Sequence, residues 1–172
     1  MAVPVSIVEY TVNFEVLHEL SPEEIDQSFR DCEARFRQLL RRYLPEWGKV
    51  HTEKLNELHL DFVRGSWLND PHKSRMSKPR ANTAFGFAFG TLLCKIHKMR
   101  WCTTRDAWED TLSVVFISDG LCEDQPKFVA VDPFNYVKKR QMVRNFEVFT
   151  DGSRAIKLQI HSQGKSGHPS NE

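Results

Sequence analysis

The stretch that most constrains this chain is the apolar run Thr83-Ala-Phe-Gly-Phe-Ala-Phe-Gly-Thr-Leu-Leu-Cys-Lys-Ile-His97. Phe85, Phe89, Leu92, Leu93 and Ile96 recur at i, i+4, i+7, i+8 and i+11, a stripe on the 3.6-residue period of a helix. A second stripe, Gly86, Gly90 and Cys94, runs beside it at steps of four. Glycine inside a helix costs about 1 kcal/mol relative to alanine. Two of them on one face therefore need a packing reason: another element must approach the backbone on that side. The run falls short of the roughly 20 apolar residues a membrane span needs, and Lys95 and Lys98 close it. The pattern predicts a buried helix over 83–98, with the rest of the fold arranged around it.

The first helix is marked by its caps. Ser21 stands as N-cap, Pro22 at the first helical position, and Glu24 three residues on completes a capping box. Leu20 and Ile25 are placed as a hydrophobic staple. Ile25, Phe29, Cys32, Phe36, Leu39 and Tyr43 then alternate steps of four and three, and Pro45 ends a helix expected over 22–44. A further pattern over 52–68 places Leu55, Leu58 and Phe62 inward, with Gly65 or Ser66 beyond them. The segment Asn69 to Arg80 is polar, proline-containing and basic, which predicts a mobile connecting loop.

Residues 5–16 alternate Val8, Tyr10, Val12, Phe14 and Val16 against Glu9, Thr11, Asn13 and Glu15, as a half-buried strand does. No hairpin partner adjoins it, so it must pair with a distant strand or with another chain. Strands are expected at 100–104 and 111–117 around the turn 105–110, and again at 127–131. Asp132 and Pro133 begin a helix reaching to about Arg144. Asp151-Gly152 punctuates the chain, and 153–161 fits a strand or a helix. Residues 162–172 have the composition of a disordered tail. The expected architecture is a single α+β domain over 1–161: a helical N-terminal half packed on a small antiparallel sheet, with one N-terminal strand.

In order, Gly86-x-x-x-Gly90 on an apolar helix, Met99-Arg-Trp101, an acidic turn, a strand, and Pro133-Phe134-x-x-Val137-x-x-Arg140 resemble a family of small bacterial domains of unknown function. The likeness covers about residues 80–145. The turn carries Trp108-Glu109-Asp110 where family members tend to show a glycine. Small bacterial domains of this sort often serve as immunity proteins for secreted toxins, so the resemblance implies that role by analogy.

Formal net charge is +1 over 172 residues, which gives no general attraction to nucleic acid or membrane. The N-terminus lacks the basic and apolar regions of a secretory signal. Cys32, Cys94, Cys102 and Cys122 form no CxxC pair and read as reduced thiols, which places the chain in the cytoplasm. Cys94-x-x-His97 with Cys102 falls short of a zinc ligand set, which needs convergent pairs. No metal and no cofactor is expected. No GxSxG, HExxH, P-loop or GxGxxG occurs. An enzyme with an unrecognised site would use Cys102 or His97. Lys138-Lys139-Arg140 with Arg144 can be read as the complement of a helix dipole, so nucleic acid is not the expected partner.

The most informative surface is acidic. From Asp106 to Pro126 the chain holds Asp106, Glu109, Asp110, Asp119, Glu123 and Asp124 and no Lys or Arg, with Trp108 among them. An aromatic anchor inside a rim of charge is how a protein takes hold of a cationic partner. The expected function is non-enzymatic protein binding. Its most concrete form is neutralisation of a toxin or another basic protein through Asp106, Trp108, Glu109, Asp110, Asp119, Glu123 and Asp124. Homo-oligomerisation through the edge at 5–16 is the structural alternative.

Overall fold

In a computed structural model of the chain, the structure describes residues 15–46, 54–105, 109–117, 128–141 and 147–165. The elements are β1 (Glu15–Glu19), α1 (Pro22–Tyr43), α2 (Glu57–Leu68), α3 (Lys78–His97), β2 (Arg100–Arg105), β3 (Asp110–Ile117), β4 (Phe128–Val131), α4 (Pro133–Lys139) and α5 (Val148–Lys165). The fold is α+β, with a four-stranded antiparallel sheet in the order β1-β2-β3-β4.

The centre is α3, which packs against α1, α2, α4, α5, β2 and β3. Phe85, Phe89 and Leu93 are fully buried and Leu92 nearly so, while Ile96 emerges at 41% exposure. The glycine stripe has the packing reason its spacing demands. A Cβ on Gly90 would collide with the six-membered ring of Trp101 and stand 3.0 Å from Pro133 Cγ. One on Gly86 would stand 2.6 Å from Phe134 Cδ1. Trp101 and the Pro133-Phe134 start of α4 thus lie in the groove the two glycines leave. Phe29 of α1 closes the cluster, its ring 4.5 Å from that of Trp101 and 5.9 Å from that of Phe134.

Helix α1 keeps its expected caps. Ser21 Oγ accepts from Glu24 N at 3.2 Å, and Ser21 N donates to Glu24 Oε2 at 2.7 Å. Phe29, Phe36, Leu39 and Leu40 are buried, with Ile25, Cys32 and Tyr43 packed at the margin.

Several expectations are corrected. Helix α3 starts at Lys78, five residues earlier than predicted, because proline fits the first turn of a helix and Pro79 is accommodated there. Helix α2 starts at Glu57 behind the N-cap Asn56, and residues 51–53 lie outside the described ones. Leu55 and Gly65 are buried as expected, but the rest of its inward face is different. Leu60, Val63, Arg64 and Trp67 are buried together with Asp61, while Leu58 and Phe62 are 64% and 55% exposed. A polar contact across 88 residues lies on this face. Asp61 accepts from Phe149 N (2.8 Å), Thr150 N (3.1 Å) and Thr150 Oγ1 (2.7 Å), and so caps the N-terminus of α5 from another helix. Leu60, Val63 and Trp67, at i, i+3 and i+7, form the apolar stripe beside it, which leaves Leu58 and Phe62 outside.

Helix α4 ends at Lys139, short of the expected Arg144; residues 142–146 lie outside the described ones. Helix α5 resolves the ambiguous 153–161 as helix and runs on to Lys165, so 162–165 do not belong to a disordered tail, while 166–172 lie outside the described residues. Gly152 is no turn. It sits inside α5, where a Cβ would stand 2.5 Å from the Tyr136 hydroxyl. That hydroxyl donates to Val148 O at 2.6 Å.

The loop 69–77 is tied down where mobility was expected. Trp67 Nε1 donates to Met76 O at 2.9 Å, and Asp70 accepts from Tyr43 Oη at 2.6 Å and pairs with Arg42 at 2.7 Å.

The first strand, expected over 5–16, is described from Glu15 to Glu19; residues 1–14 lie outside the described ones. Its partner is the distant strand β2, in the register Glu15↔Arg105 to Glu19↔Cys102, with an irregularity at Leu17. Trp101, paired with Val114 and through it with Val131, faces the helices. By alternation the opposite face carries Cys102, Thr104, Ser113 and Val115, which are also buried. There Thr104 Oγ1 bonds Ser113 Oγ at 3.0 Å and Thr111 Oγ1 at 3.1 Å.

Candidate functional site at the acidic end of the sheet

The register of β2 and β3 fixes the geometry of the acidic turn. Arg105 pairs with Asp110, so residues 106–109 are the whole connection between the strands. Asp106 and Trp108 lie outside the described residues, as do Asp119, Glu123 and Asp124. The topology separates the points from which the two acidic runs leave. One leaves β3 at Asp110 and the other at Ile117, seven residue steps away, which at 3.2–3.4 Å per residue is about 24 Å. The structure therefore places Glu109 and Asp110 at one end of the sheet and starts the 118–127 connection from the other.

Other elements add to the Asp110 end. Glu15, the first residue of β1, pairs across from Arg105. Asp132, the N-cap of α4, stands close enough to Glu109 to feel its charge. Glu109 and Asp110 are both exposed. Glu15, Glu109, Asp110 and Asp132 thus share this end with Arg105, and Lys139 also acts on Asp132. Glu15 and Asp132 were missed as site residues because they lie far apart in sequence. Their signals were the polar face of an alternating strand and an N-cap, both of which have structural readings.

The electrostatics divide these carboxylates. Asp110 is engaged side-on by Arg105, with Nε–Oδ1 at 2.6 Å and Nη2–Oδ2 at 3.0 Å. This bond holds the Asp110 carboxyl below its ordinary range. Asp110 therefore stays ionised but internally compensated. Asp132 is pushed up, first by burial and then by the charge of Glu109, against the Asn135 and Phe134 N–H groups that its Oδ1 caps at 2.9 and 3.0 Å. Glu109 and Glu15 are exposed carboxylates at this end, and Glu15 also acts on Arg105.

The residues an enzyme would use are arranged differently. Cys102 has no exposed surface, and burial pushes its thiol up to about 11. Burial pushes Cys94 up to about 12. Neither offers a thiolate at neutral pH, which a cysteine nucleophile requires. His97 Nε2 lies 2.9 Å from Ser153 Oγ, and that hydroxyl donates to Glu57 Oε1 at 2.8 Å. With the serine O–H directed at Glu57, the imidazole must donate to Oγ, the reverse of the polarity in a serine–base pair. Ser153 is also only 4% exposed, inside α5. The set ties the N-terminal turn of α2 and the last residue of α3 to α5. Burial lowers the His97 pKa, which keeps the ring neutral in this role.

Among the described residues, no three His, Cys, Asp or Glu side chains gather in a way that would hold a metal ion. None of the described helices is long and apolar enough to cross a membrane. On α4, Lys138 and Lys139 are exposed, while Arg140 lies 3.8 Å over the Tyr136 ring and donates to Tyr136 O.

No family model, no curated protein and no solved structure matches this chain.

Proposed function

We propose that the chain is a protein-binding module that takes a cationic partner at the Asp110 end of its sheet. In its most concrete form it is a cytoplasmic immunity protein that blocks a bacterial toxin by direct contact. The observation that supports this reading most is the mounting of the acidic turn. Residues 106–109 join two strands paired to their last residues, and β2 is anchored in the core through Trp101 in the Gly86/Gly90 groove. Glu109 and Asp110 thus stand on a hairpin whose strands are anchored in the core, and a pre-organised mount lowers the ordering cost of binding. Glu15 and Glu109 add exposed carboxylates at the end of the sheet where the connection carrying Trp108 leaves it, and an aromatic anchor with charged surroundings is a common way to hold a partner. The proposed contact centres on Asp106, Trp108, Glu109 and Glu15. Asp110 is internally paired, and Asp119, Glu123 and Asp124 start from the opposite end of β3.

The test is co-expression with the protein encoded by the neighbouring reading frame, with growth as the readout. Trp108→Ala and the pair Glu15→Lys/Glu109→Lys should abolish protection while leaving the far-UV circular dichroism and Tm unchanged. Protection that survives all three substitutions would refute the reading.

A further inference from the structure

Five large apolar side chains are exposed among the described residues, and two of them, Leu58 (64%) and Phe62 (55%), stand one turn apart on α2. Exposed apolar residues scattered singly need no explanation. A pair on one helix face does. At 3.6 residues per turn, Leu58, Phe62, Gly65, Ser66 and Asn69 fall within a sector about 100° wide. None of the five carries a charge. The charged residues of α2 are engaged within the fold instead. Glu57 Oε1 accepts from Ser153 Oγ at 2.8 Å, Asp61 caps α5, and Arg64 Nη2 donates to Arg140 O at 2.7 Å.

The same face has a hollow next to its two projecting side chains. An open concavity of about 430 Å³ is lined by Asp61, Phe62, Gly65, Ser66 and Asn69. It exists because the helix carries a glycine and a serine one turn beyond Phe62. Of the lining residues only Asp61 is charged, and both its oxygens are already bonded to α5. Asn69 Nδ2 donates to Gly65 O at 2.9 Å, which turns its amide back onto the helix. What is left facing outward is mostly apolar. An apolar cavity of about 150 Å³ already holds a benzene ring, so the hollow has room for a phenyl group.

We infer that this face binds a second copy of the chain, α2 lying antiparallel to α2 about a two-fold axis. Such a contact needs a surface that complements itself, and projections beside a hollow on one helix supply it. An axis crossing α2 midway between residues 63 and 64 sets Phe62 opposite Gly65 of the second copy. The same register sets Leu58 opposite Asn69 of the second copy, so both projections meet the hollow at once. Two uncharged faces bring no like charges together and bury no unpaired ion. A charged partner would find no exposed counter-charge on this sector. The face of one twelve-residue helix falls short of the roughly 1,200 Å² of a stable interface. The dimer is therefore a weak one, with a Kd of about 0.05–1 mM. This contact is separate from the acidic end of the sheet and does not depend on the reading of that end.

The experiment is sedimentation equilibrium of the full chain from about 10 μM to about 1 mM. The average mass should climb from that of a monomer toward that of a dimer. It should do so equally at about 50 mM and about 500 mM salt, since no charge pair is to be screened. Leu58→Glu/Phe62→Glu should weaken self-association by about tenfold or more, with Tm of the dilute protein unchanged because both positions are exposed. Ser66→Leu, which fills the hollow without adding charge, should weaken it as well. Glu15→Lys/Glu109→Lys should leave it unchanged, which keeps this test apart from that of the acidic end. A chain that stays monomeric at about 1 mM, a dimer dissolved by salt, or a dimer indifferent to both α2 variants would overturn the inference. If the chain stays monomeric and Leu58→Glu/Phe62→Glu nonetheless abolishes protection in the growth assay, the face belongs to a different protein and the dimer is refuted.

Discussion

Gly90→Ala places a methyl group against the most crowded contact in the fold, and its effect can be worked out from two opposing terms. Alanine is favoured over glycine in a helix interior by about 1 kcal/mol. Against that, the new Cβ would collide with the Trp101 ring and crowd Pro133 Cγ. The ring has nowhere to go: it is 4% exposed and stands 4.5, 6.0 and 6.5 Å from the rings of Phe29, Phe134 and Phe87. Overpacking of this kind costs about 1–3 kcal/mol, and a locked ring belongs at the upper end. The net expectation is a loss of about 2 kcal/mol, which for a chain of this size lowers Tm by about 4–8 °C. Urea denaturation gives the free energy directly. The double variant Gly90→Ala/Trp101→Leu isolates the cause, because in the Trp101→Leu background the same alanine should be neutral or should stabilise by up to about 1 kcal/mol. If Gly90→Ala stabilises the parent protein, the close approach is wrong, and with it the anchoring of β2 to α3.

Asp61→Ala should cost about 2–4 kcal/mol in urea denaturation, since it strands the Phe149 and Thr150 donors and removes the charge facing buried Arg64. For His97 the folded-state pKa lies below its ordinary value of 6.5. The unfolded chain therefore binds the proton more readily, and the stability this group contributes is present above about pH 6.5 and lost as pH falls toward the folded pKa. A plot of Tm against pH should drop through that window, and the drop should shrink in His97→Gln; an unchanged drop would exclude His97 as its source. In a Cys122→Ser background, Cys94 and Cys102 should resist a thiol reagent at pH 8 until denaturant is added, because burial pushes both well above neutral. Rapid native labelling of either would favour the enzyme alternative.

What was legible in the sequence follows the strength of local signals. Helix α1 could be read almost residue by residue, because Ser21, Pro22 and Glu24 carry the instruction in side chains that touch their own backbone. The Gly86/Gly90 stripe announced a close approach, and Trp101, Pro133 and Phe134 were singled out with it before their contact was visible. Helix α2 offers two apolar stripes, Leu58/Phe62 and Leu60/Val63/Trp67, and the second is buried, on the side where Asp61 meets partners 88 residues away. Gly152 suggested a turn, but its function is to admit the Tyr136 hydroxyl, a contact no local pattern reveals. At the acidic site the sequence joined two runs that leave β3 from its opposite ends, and most of their residues lie outside the described ones. It also left out Glu15 and Asp132, which only the strand register and the α4 cap bring to the same end. The loop 69–77 looked mobile from its composition, yet the same polar residues are what fasten it.

The central claim is that the Asp110 end of the sheet meets a cationic protein surface. The most direct measurement is the association rate of the purified chain with its partner, followed by stopped flow over a range of ionic strength. The account predicts a rate that falls steeply with added salt. It also predicts that Glu15→Lys/Glu109→Lys slows association and flattens that dependence, while Trp108→Ala mainly speeds dissociation. An association rate indifferent to salt and to the Glu15 and Glu109 charges would contradict it.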